Sequence, residues 1–250
     1  MCFDLDSAPP IPTIAGASVD HRDLELEAAD GSRFAAFAAF PSDASGIGVV
    51  VLPDVRGLYH FYEELALRFA ERSFVAVAID YFGRTAGVAT RDSDFEYMPH
   101  VQQTTNETLQ ADVGAAVAYL RSPDGGSCHT IFTVGFCFGG SVSWNAAAAG
   151  HGIAGAVGFY GRPSRVEHVD RIEAPILALQ AGDDANISAD DNAAFVRALE
   201  EAGVEAELVT YDGAPHSFFD RKQEDFADAS ADAWQRVLAF IERHATAPVH

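Results

Sequence analysis

The sequence predicts an α/β fold: a doubly wound, mostly parallel sheet with an N-terminal antiparallel hairpin and helices on both faces. Three observations predict it. Short apolar segments alternate with amphipathic ones, a turn signal stands near the start of the chain, and polar residues directly follow several of the apolar segments. Alternating strands and helices imply right-handed crossovers, which place helices on both faces of one sheet.

The N-terminal part predicts an extended arm followed by the hairpin. Residues 1–17 carry prolines and acidic residues and form the arm. Residues 24–40 alternate with period two on either side of Asp30 and Gly31, which is a hairpin signal. Residues 46–54, GIGVVVLPD, are a short apolar run of the kind expected for a strand buried on both faces of a parallel sheet.

Beyond this strand, helices and strands alternate regularly. Helices are predicted over 62–73, 104–122, 141–149, 189–203 and 226–245. Strands are predicted over 74–80, 130–136, 153–160, 175–182 and 206–213. Residues 83–104 lack periodicity, and a loop of that length in a compact domain is usually a lid or a binding loop. Because no linker, repeat or low-complexity tract interrupts the pattern, we expect a single domain over 1–250.

Composition and charge exclude several classes of partner. The chain has 37 Asp plus Glu against 16 Lys plus Arg, so its field repels nucleic-acid phosphates and anionic lipid surfaces. The three cysteines show no disulfide pattern, and Cys2 and Cys128 receive no role. The N-terminus lacks a signal-peptide pattern, and no apolar run reaches about 18 residues. We therefore expect a cytoplasmic protein with neither nucleic acid nor membrane as a partner.

A cysteine stands where the predicted strand over 130–136 ends. Residues 135–139, GFCFG, have the G-x-nucleophile-x-G form of a nucleophile elbow, a sharp turn whose glycines avoid collisions with neighbouring elements. The turn puts the thiol of Cys137 at the amino end of a helix, where the dipole favours thiolate and the N–H of Phe138 points at an oxyanion. The alternative is an inert buried cysteine in a tight glycine turn.

A thiol nucleophile needs a base, and the base needs a carboxylate that orients it. His216 follows the last predicted strand, and Asp183 and Asp184 follow the strand over 175–182. Nucleophile, acid, histidine is the chain order of α/β-hydrolases. On spacing alone either aspartate fits, and the alternatives are a surface or capping histidine and ordinary turn aspartates.

Four motifs, GFCFGG, GAPHSF, LPDVRG and IDYFGRTAG, together resemble the dienelactone hydrolase family of cysteine α/β-hydrolases over nearly the whole chain. That family opens a conjugated unsaturated lactone bearing a carboxylate, in the breakdown of aromatic compounds, without metal or cofactor. The resemblance implies Cys137, Asp184 and His216 as the catalytic triad, since the family's acid lies two residues after the glycine of its GxxD motif.

The resemblance implies further site residues around the thiol. Asp54 stands where the family has an acidic residue, usually glutamate, that interacts with the thiol and helps to activate it. The aspartate is shorter by one methylene. Val55 then supplies the second oxyanion N–H beside that of Phe138, and Tyr160 matches a family tyrosine near the substrate.

The family binds the substrate carboxylate with two arginines, and Arg84 matches the first. The second stands four residues after the catalytic histidine, where this chain has Asp220 followed by Arg221. Arg221 is the candidate replacement, and a solvated residue at the start of a helix is the alternative. Arg56, Arg84, Arg162 and Arg221 all follow predicted strand ends on the catalytic side, which favours a small anionic substrate.

Three hypotheses follow. The first is a hydrolase that opens small carboxylate-bearing lactones by a Cys-His-Asp triad through an acyl-thioester. The second is a broader carboxylesterase or thioesterase on neutral or acyl substrates, and the third is a non-hydrolytic ligand-binding or redox-sensing protein. No cofactor is expected, and no metal, because the cysteines and histidines lack ligand spacings such as CxxC or HxxxH.

Overall fold

The structure is a computed structural model, and it describes residues 3–4 and 6–245. Cys2 lies outside the described residues, as do the first two residues of the predicted arm. The strands are β1 (Val19–Glu27), β2 (Arg33–Pro41), β3 (Ile47–Leu52), β4 (Val75–Ile79), β5 (Thr130–Phe136), β6 (Gly155–Phe159), β7 (Ile176–Asp183) and β8 (Ala206–Pro215). The helices are α1 (His60–Ala70), α2 (Gly83–Ala86), α3 (Met98–Val101), α4 (Asn106–Arg121), α5 (Phe138–Ala146), α6 (Ala189–Glu201) and α7 (Ala227–His244).

All eight strands form one sheet in the order β1-β2-β4-β3-β5-β6-β7-β8. β1 and β2 make the predicted antiparallel hairpin, and β2 also runs antiparallel to β4. The pairs from β4 through β8 are parallel. β3, β4 and β5 are buried at every position, which explains their continuous apolar sequences. The predicted fold class is therefore confirmed.

Helices cover both faces of the sheet. On one face α1 and α7 contribute large apolar side chains to the core, among them Phe69 and Trp234, whose rings lie 4.9 Å apart. On the other face α4, α5 and α6 pack together, and Trp144 of α5 contacts Phe195 of α6 at a ring distance of 5.0 Å. Within the described residues, no helix is long and apolar enough to cross a membrane.

The strand order creates a crevice between β3 and β5. The chain first crosses from β3 to β4 on one side and then places β5 on the other side of β3. Such a switch point leaves the carboxyl ends of two parallel strands open for a ligand. Leu52 at the end of β3 pairs with Gly135 of β5, so the residues that follow these two strands lie side by side.

Two irregular segments are fixed by polar contacts. In the segment 83–104, which contains α2 and α3, the buried guanidinium of Arg91 binds Asp80 at 2.7 Å, and its backbone N–H donates to the carbonyl of Leu58. In the N-terminal arm, Ser7 donates to the carboxylate of Asp220 at 2.5 Å. Both segments are therefore fastened to the residues around the sheet.

Candidate active site

Cys137 occupies a strained turn between β5 and α5. Its backbone has φ 55° and ψ −112°, in the positive-φ region that residues other than glycine rarely adopt. A Cβ at Gly135 would overlap the carbonyl of Gly139, and a Cβ at Gly139 would overlap the carbonyl of Leu52. The glycines two residues either side of the thiol are therefore required by close backbone contacts, as the sequence pattern predicts.

His216 and Asp184 meet at the ends of neighbouring strands. Asp183 pairs with Pro215 at the end of the β7–β8 ladder, so the residues that follow, Asp184 and His216, come next to each other. Nδ1 of His216 lies 2.5 Å from Oδ2 of Asp184, and the N–H of Asn186 donates to Oδ1 of the same carboxylate. The spacing leaves two aspartates open, and of these Asp184 contacts the imidazole while Asp183 is exposed.

His216 also forms a side-chain hydrogen bond with Cys137. Because Nδ1 of the His216 ring is hydrogen-bonded to Asp184, Nε2 is the ring nitrogen that faces the thiol of Cys137. Burial lowers the pKa of His216, but the hydrogen bonds with Asp184 and Cys137 outweigh it and raise that pKa to about 9. Burial raises the pKa of Asp184, but the hydrogen bonds from His216 and the N–H of Asn186 outweigh it and hold that pKa below its usual value. The arrangement therefore favours a protonated imidazole next to the sulfur.

Asp54 follows β3 and is fully buried. Its Oδ1 accepts the N–H of Arg56 at 2.9 Å, its Oδ2 lies 3.3 Å from the hydroxyl of Tyr59, and its own N–H donates to the hydroxyl of Tyr62. Burial raises the pKa of Asp54 to about 7, against the hydrogen bond from Arg56, and the charge of Cys137 raises it further. A carboxyl group of this kind exchanges a proton near neutral pH.

The other residues predicted around the thiol, Val55, Phe138 and Tyr160, line a cavity beside Cys137. Phe138 is the first residue of α5, where backbone N–H groups have no acceptor within the helix. Val55 follows Asp54 and lines the same cavity as Cys137. Tyr160, after β6, is buried, and its ring centroid lies 4.9 Å from that of His216.

The cavity beside the thiol has a volume of about 230 Å³. It is lined by Val55, Cys137, Phe138, Ser141, Tyr160, Arg162, Arg165, Asn186, Ile187 and His216. Four of these residues were not predicted from the sequence: Ser141, Arg165, Asn186 and Ile187. Arg165 carried the same signal as Arg162, since both follow the end of a strand in the short loop GRPSR.

Arg84 requires a correction, because its side chain does not reach this cavity. Its Nη1 contacts both carboxylate oxygens of Asp112 at 2.6 Å, and its Nε and Nη2 donate to Asp30. Asp112 is fully buried in α4, and Asp30 lies in the hairpin turn. Arg84 therefore links the hairpin to α4 and is not placed to hold a substrate.

Arg221 also lies outside the cavity, with an exposed side chain and its N–H bonded to the carbonyl of Ala8. The preceding Asp220 is buried and accepts from Ser7, Ala8 and the N–H of Lys222. At the position of the family's second arginine, this chain thus fastens its N-terminal arm. Arg56 lines a separate cavity with Asp4 and Asp92.

The segment 83–104 contributes no residue to the lining of the cavity beside Cys137. Four of its residues, Asp92, Ser93, Phe95 and Tyr97, line the separate cavity with Arg56. Its role as a lid or binding loop stays a prediction. Over the described ranges, no group of three or more His, Cys, Asp or Glu side chains is arranged to hold a metal ion.

The sheet order and the elbow define a protein with the α/β-hydrolase fold. The chain belongs to the dienelactone hydrolase family, whose model matches residues 34–245. A carboxymethylenebutenolidase of Rhodococcus opacus is 28% identical over 261 residues, which cover 98% of each chain. A protein of Escherichia coli K12, provisionally named for the same activity, is 28% identical over 86% of this chain and 84% of its own.

Solved structures agree on the fold. A protein from Klebsiella pneumoniae, provisionally named dienelactone hydrolase, superposes with a TM-score of 0.77 at 24% identity, covering 90% of this chain and 99% of its own. A dienelactone hydrolase-like promiscuous phosphotriesterase from metagenomic libraries superposes with a TM-score of 0.76 at 22% identity, covering 90% of this chain and 98% of its own. Family and relatives together identify the chain as a carboxylic ester hydrolase with dienelactone hydrolase-like activity. These findings support the hydrolytic hypotheses over the non-hydrolytic one.

Proposed function

We propose that this hydrolase opens small lactones that bear a carboxylate, through an acyl-thioester on Cys137. The observation that carries the proposal is the hydrogen-bonded series Cys137, His216 and Asp184 at the wall of a cavity of about 230 Å³. A nucleophile, a base and an orienting carboxylate in contact are the requirements of acyl transfer. The volume suits a small ring better than a long acyl chain.

In the first half of the reaction, the proton of the thiol already resides on Nε2 of His216, and the thiolate of Cys137 attacks the lactone carbonyl. The N–H groups of Val55 and Phe138 stabilise the negative oxygen of the tetrahedral intermediate. The ring C–O bond then breaks, and His216 returns its proton to the leaving oxygen. The product of this step is a thioester whose new hydroxyl group belongs to the same acyl chain.

In the second half, a water molecule attacks the thioester. His216 takes a proton from that water, the same N–H groups hold the oxyanion, and the C–S bond breaks with the sulfur leaving as thiolate. The hydroxy acid departs, and the thiolate again lies beside the protonated imidazole of His216. Asp184 remains ionised and fixes the imidazole with Nε2 towards the sulfur.

Asp54 is proposed to tune the thiol. Its pKa of about 7 lets it accept or return a proton in the working range, and its charge interacts with that of Cys137. Proton exchange at Asp54 is coupled to that at Cys137, because the negative charge of the thiolate raises the pKa of the carboxyl group and the carboxylate in turn disfavours the thiolate. Asp54 therefore bears on how much thiolate is present before substrate binds.

A broader carboxylesterase is the second candidate. It is favoured by the apolar part of the lining, which includes Val55, Phe138 and Ile187, and by the absence of Arg84 and Arg221 from the cavity. Such an enzyme would turn over neutral esters as well as charged lactones. Comparing dienelactone with a neutral ester of similar size on the wild type separates the two candidates.

The test of the mechanism replaces the nucleophile. Cys137→Ala should lower kcat/KM for dienelactone and for a neutral ester by at least about 1,000-fold, and Cys137→Ser should leave little activity. Cys128→Ala is the matched control, because burial raises the pKa of that thiol to about 11. Iodoacetamide should modify Cys137 and inactivate the enzyme, with peptide mapping to locate the label. Full activity in Cys137→Ala would disprove the assignment of the nucleophile.

A further inference from the structure

We propose that Arg162 and Arg165, in the loop after β6, form the anion subsite that holds the substrate carboxylate. The proposal rests on the proposed function and deepens it by naming the residues that select the substrate class. Both arginines line the cavity beside Cys137 and His216. They supply the positive charge that Arg84 and Arg221 do not bring to this place.

The loop is held rigidly against the helix that starts at the nucleophile. Ser141 of α5 accepts the N–H of Arg162 at 2.9 Å and donates to its carbonyl at 3.1 Å. One turn further, Asn145 donates to the carbonyl of Arg165 and accepts the N–H of Glu167. Ser141 and Asn145 are both buried, so these hydrogen bonds join the loop to the helix that starts at Cys137. This fixes the backbone of both arginines relative to the sulfur.

Close backbone packing adds to this rigidity. A Cβ at Gly140 would crowd Gly161 to 2.9 Å, and a Cβ at Gly161 would meet the ring of Trp144 at 2.8 Å. The carbonyl of Gly161 also accepts from the buried side chain of Gln180. The arginine loop therefore starts from a point of close approach to Gly140, the third residue of α5. Preorganisation of this kind lowers the entropy lost on binding.

The charge of the cavity is opposite to that of the whole chain. The formal net charge is −21, yet the cavity lining contains two arginines and no aspartate or glutamate. Throughout 3–4 and 6–245, neither guanidinium forms an ion pair with a carboxylate. Asp191, whose pKa is lowered by Ser188 first and by Arg162 last, lies beyond ion-pair distance. Both arginines are thus available to an anionic ligand.

Arg165 has a defined position at the cavity wall. The carbon at the centre of its guanidinium lies 5.5 Å from the centroid of the Phe138 ring, a cation–π arrangement. Phe138 is the residue directly after the nucleophile. The ring therefore holds the charge of Arg165 beside the cavity while leaving its N–H donors open. Planar guanidinium groups bind carboxylates through paired hydrogen bonds.

The two arginine positions that the family uses are committed elsewhere in this chain. Arg84 is bonded to Asp112 and Asp30, and the second position is the buried Asp220. A chain that keeps a carboxylate substrate must therefore supply the positive charge from another loop. The loop after β6 is the one that does so while touching the cavity.

The experiment compares two lactones on four proteins. The lactones are dienelactone and the analogue in which a methyl group replaces the carboxylate; the proteins are the wild type, Arg162→Gln, Arg165→Gln and Arg197→Gln. Arg197 is an exposed residue of α6 and loses the same charge without touching the cavity. We expect each cavity variant to lower kcat/KM for dienelactone about tenfold or more, mainly through KM. The kcat/KM of these variants for the neutral analogue should change less than about twofold, and Arg197→Gln should have the kinetics of the wild type on both lactones.

Binding provides a readout that does not need catalysis. Calorimetric titration of dienelactone into Cys137→Ala should give a Kd that weakens by the same factor when Arg162→Gln or Arg165→Gln is added. Raising the NaCl concentration should raise KM for dienelactone in the wild type and less so in the arginine variants, because charge screening then has less to remove.

Three outcomes would overturn the proposal. Equal losses on both lactones would make the arginines structural, and unchanged kinetics on both would place the anion elsewhere. A loss in Arg197→Gln equal to that in the cavity variants would indicate a general field effect. Failure of the proposed function is distinct: the Cys137→Ala protein would then keep its activity, while the ratio of kcat/KM for the charged and neutral lactones in Arg162→Gln and Arg165→Gln still tests the subsite.

Discussion

At the scale of single residues, burial and hydrogen bonds set the charge states in the candidate site. His216 keeps its proton to about pH 9 because Asp184 and Cys137 compensate for its burial. Asp54 has no such strong partner, and burial dominates its pKa of about 7. His216 is therefore protonated near neutral pH, while Asp54, which would be fully charged in water, exchanges its proton in that range.

Asp54→Asn should change how stability depends on pH. The folded pKa of about 7 lies above the ordinary value of 3.8, so the folded state binds the extra proton. The stability from this proton is full below about pH 4 and is lost as pH rises through about 7. The unfolding free energy of Asp54→Asn relative to that of the wild type should therefore increase between pH 4 and pH 8, by up to about 4 kcal/mol.

Chemical denaturation of both proteins at several pH values measures this difference. Asp43→Asn, at an exposed loop position, controls for the loss of an aspartate charge. If the gap between Asp54→Asn and the wild type does not change with pH, Asp54 does not take up a proton in the folded state. The same variant should lose turnover more than binding if Asp54 helps to form the thiolate.

At the scale of elements, polar side chains join parts that the sheet alone does not hold. Arg84 connects the turn of the β1–β2 hairpin to α4, and Asp220 joins the N-terminal arm to the loop that carries His216. Arg91 fastens the segment 83–104 to Asp80 after β4. The charged side chains of Arg84, Arg91 and Asp220 therefore form contacts between elements.

Arg84→Ala should destabilise the fold and leave substrate preference unchanged. Removing the guanidinium leaves the carboxylate of Asp112 buried without its partner, which costs on the order of 3 kcal/mol. Because burial raises the pKa of Asp112 to about 7 even with Arg84 present, the acid should become protonated more easily in the variant. Adding Asp112→Asn to Arg84→Ala should recover part of the lost stability.

Thermal melting of the single and double variants checks the stability effect. The ratio of kcat/KM for dienelactone and its neutral analogue checks the preference. A collapse of that ratio in folded Arg84→Ala would contradict the structural role and return Arg84 to the substrate site.

At the scale of the whole molecule, charge is distributed unevenly. Acidic residues dominate the chain, while the cavity carries two arginines and a protonated histidine. A positive recess within a negative surface focuses the field, and this would guide the proposed anionic substrate towards the thiol. The same net charge opposes the compact state through self-repulsion.

The melting temperature should rise when NaCl increases from about 10 mM to about 150 mM and change little above that range. The Debye length falls from about 30 Å to about 8 Å over this interval, so repulsion among the acidic groups is screened. Chlorides of different monovalent cations should give the same curve. A rise that depends on the identity of the cation would indicate specific ion binding in place of screening.

The sequence by itself determined the fold class, the glycine-flanked turn at Cys137 and the chain order of the proposed nucleophile, acid and histidine. These features are local: hydrophobic periodicity fixes strands and helices, and glycines two residues from Cys137 are required wherever such a turn occurs. The hairpin around Asp30 and Gly31 was predictable for the same reason. In each case the signal and the structure it specifies occupy the same short stretch of chain.

Only the tertiary structure decided which charges meet. The register of β7 on β8 decided that Asp184, and not Asp183, contacts His216. The packing of α4 against the hairpin placed Asp112 next to Arg84. Arg165 reached the cavity because buried polar side chains of α5 hold its loop. Ion pairs join residues far apart in sequence, and an arginine after a strand end carries no mark of the carboxylate it will contact. Its partner is set by the fold as a whole.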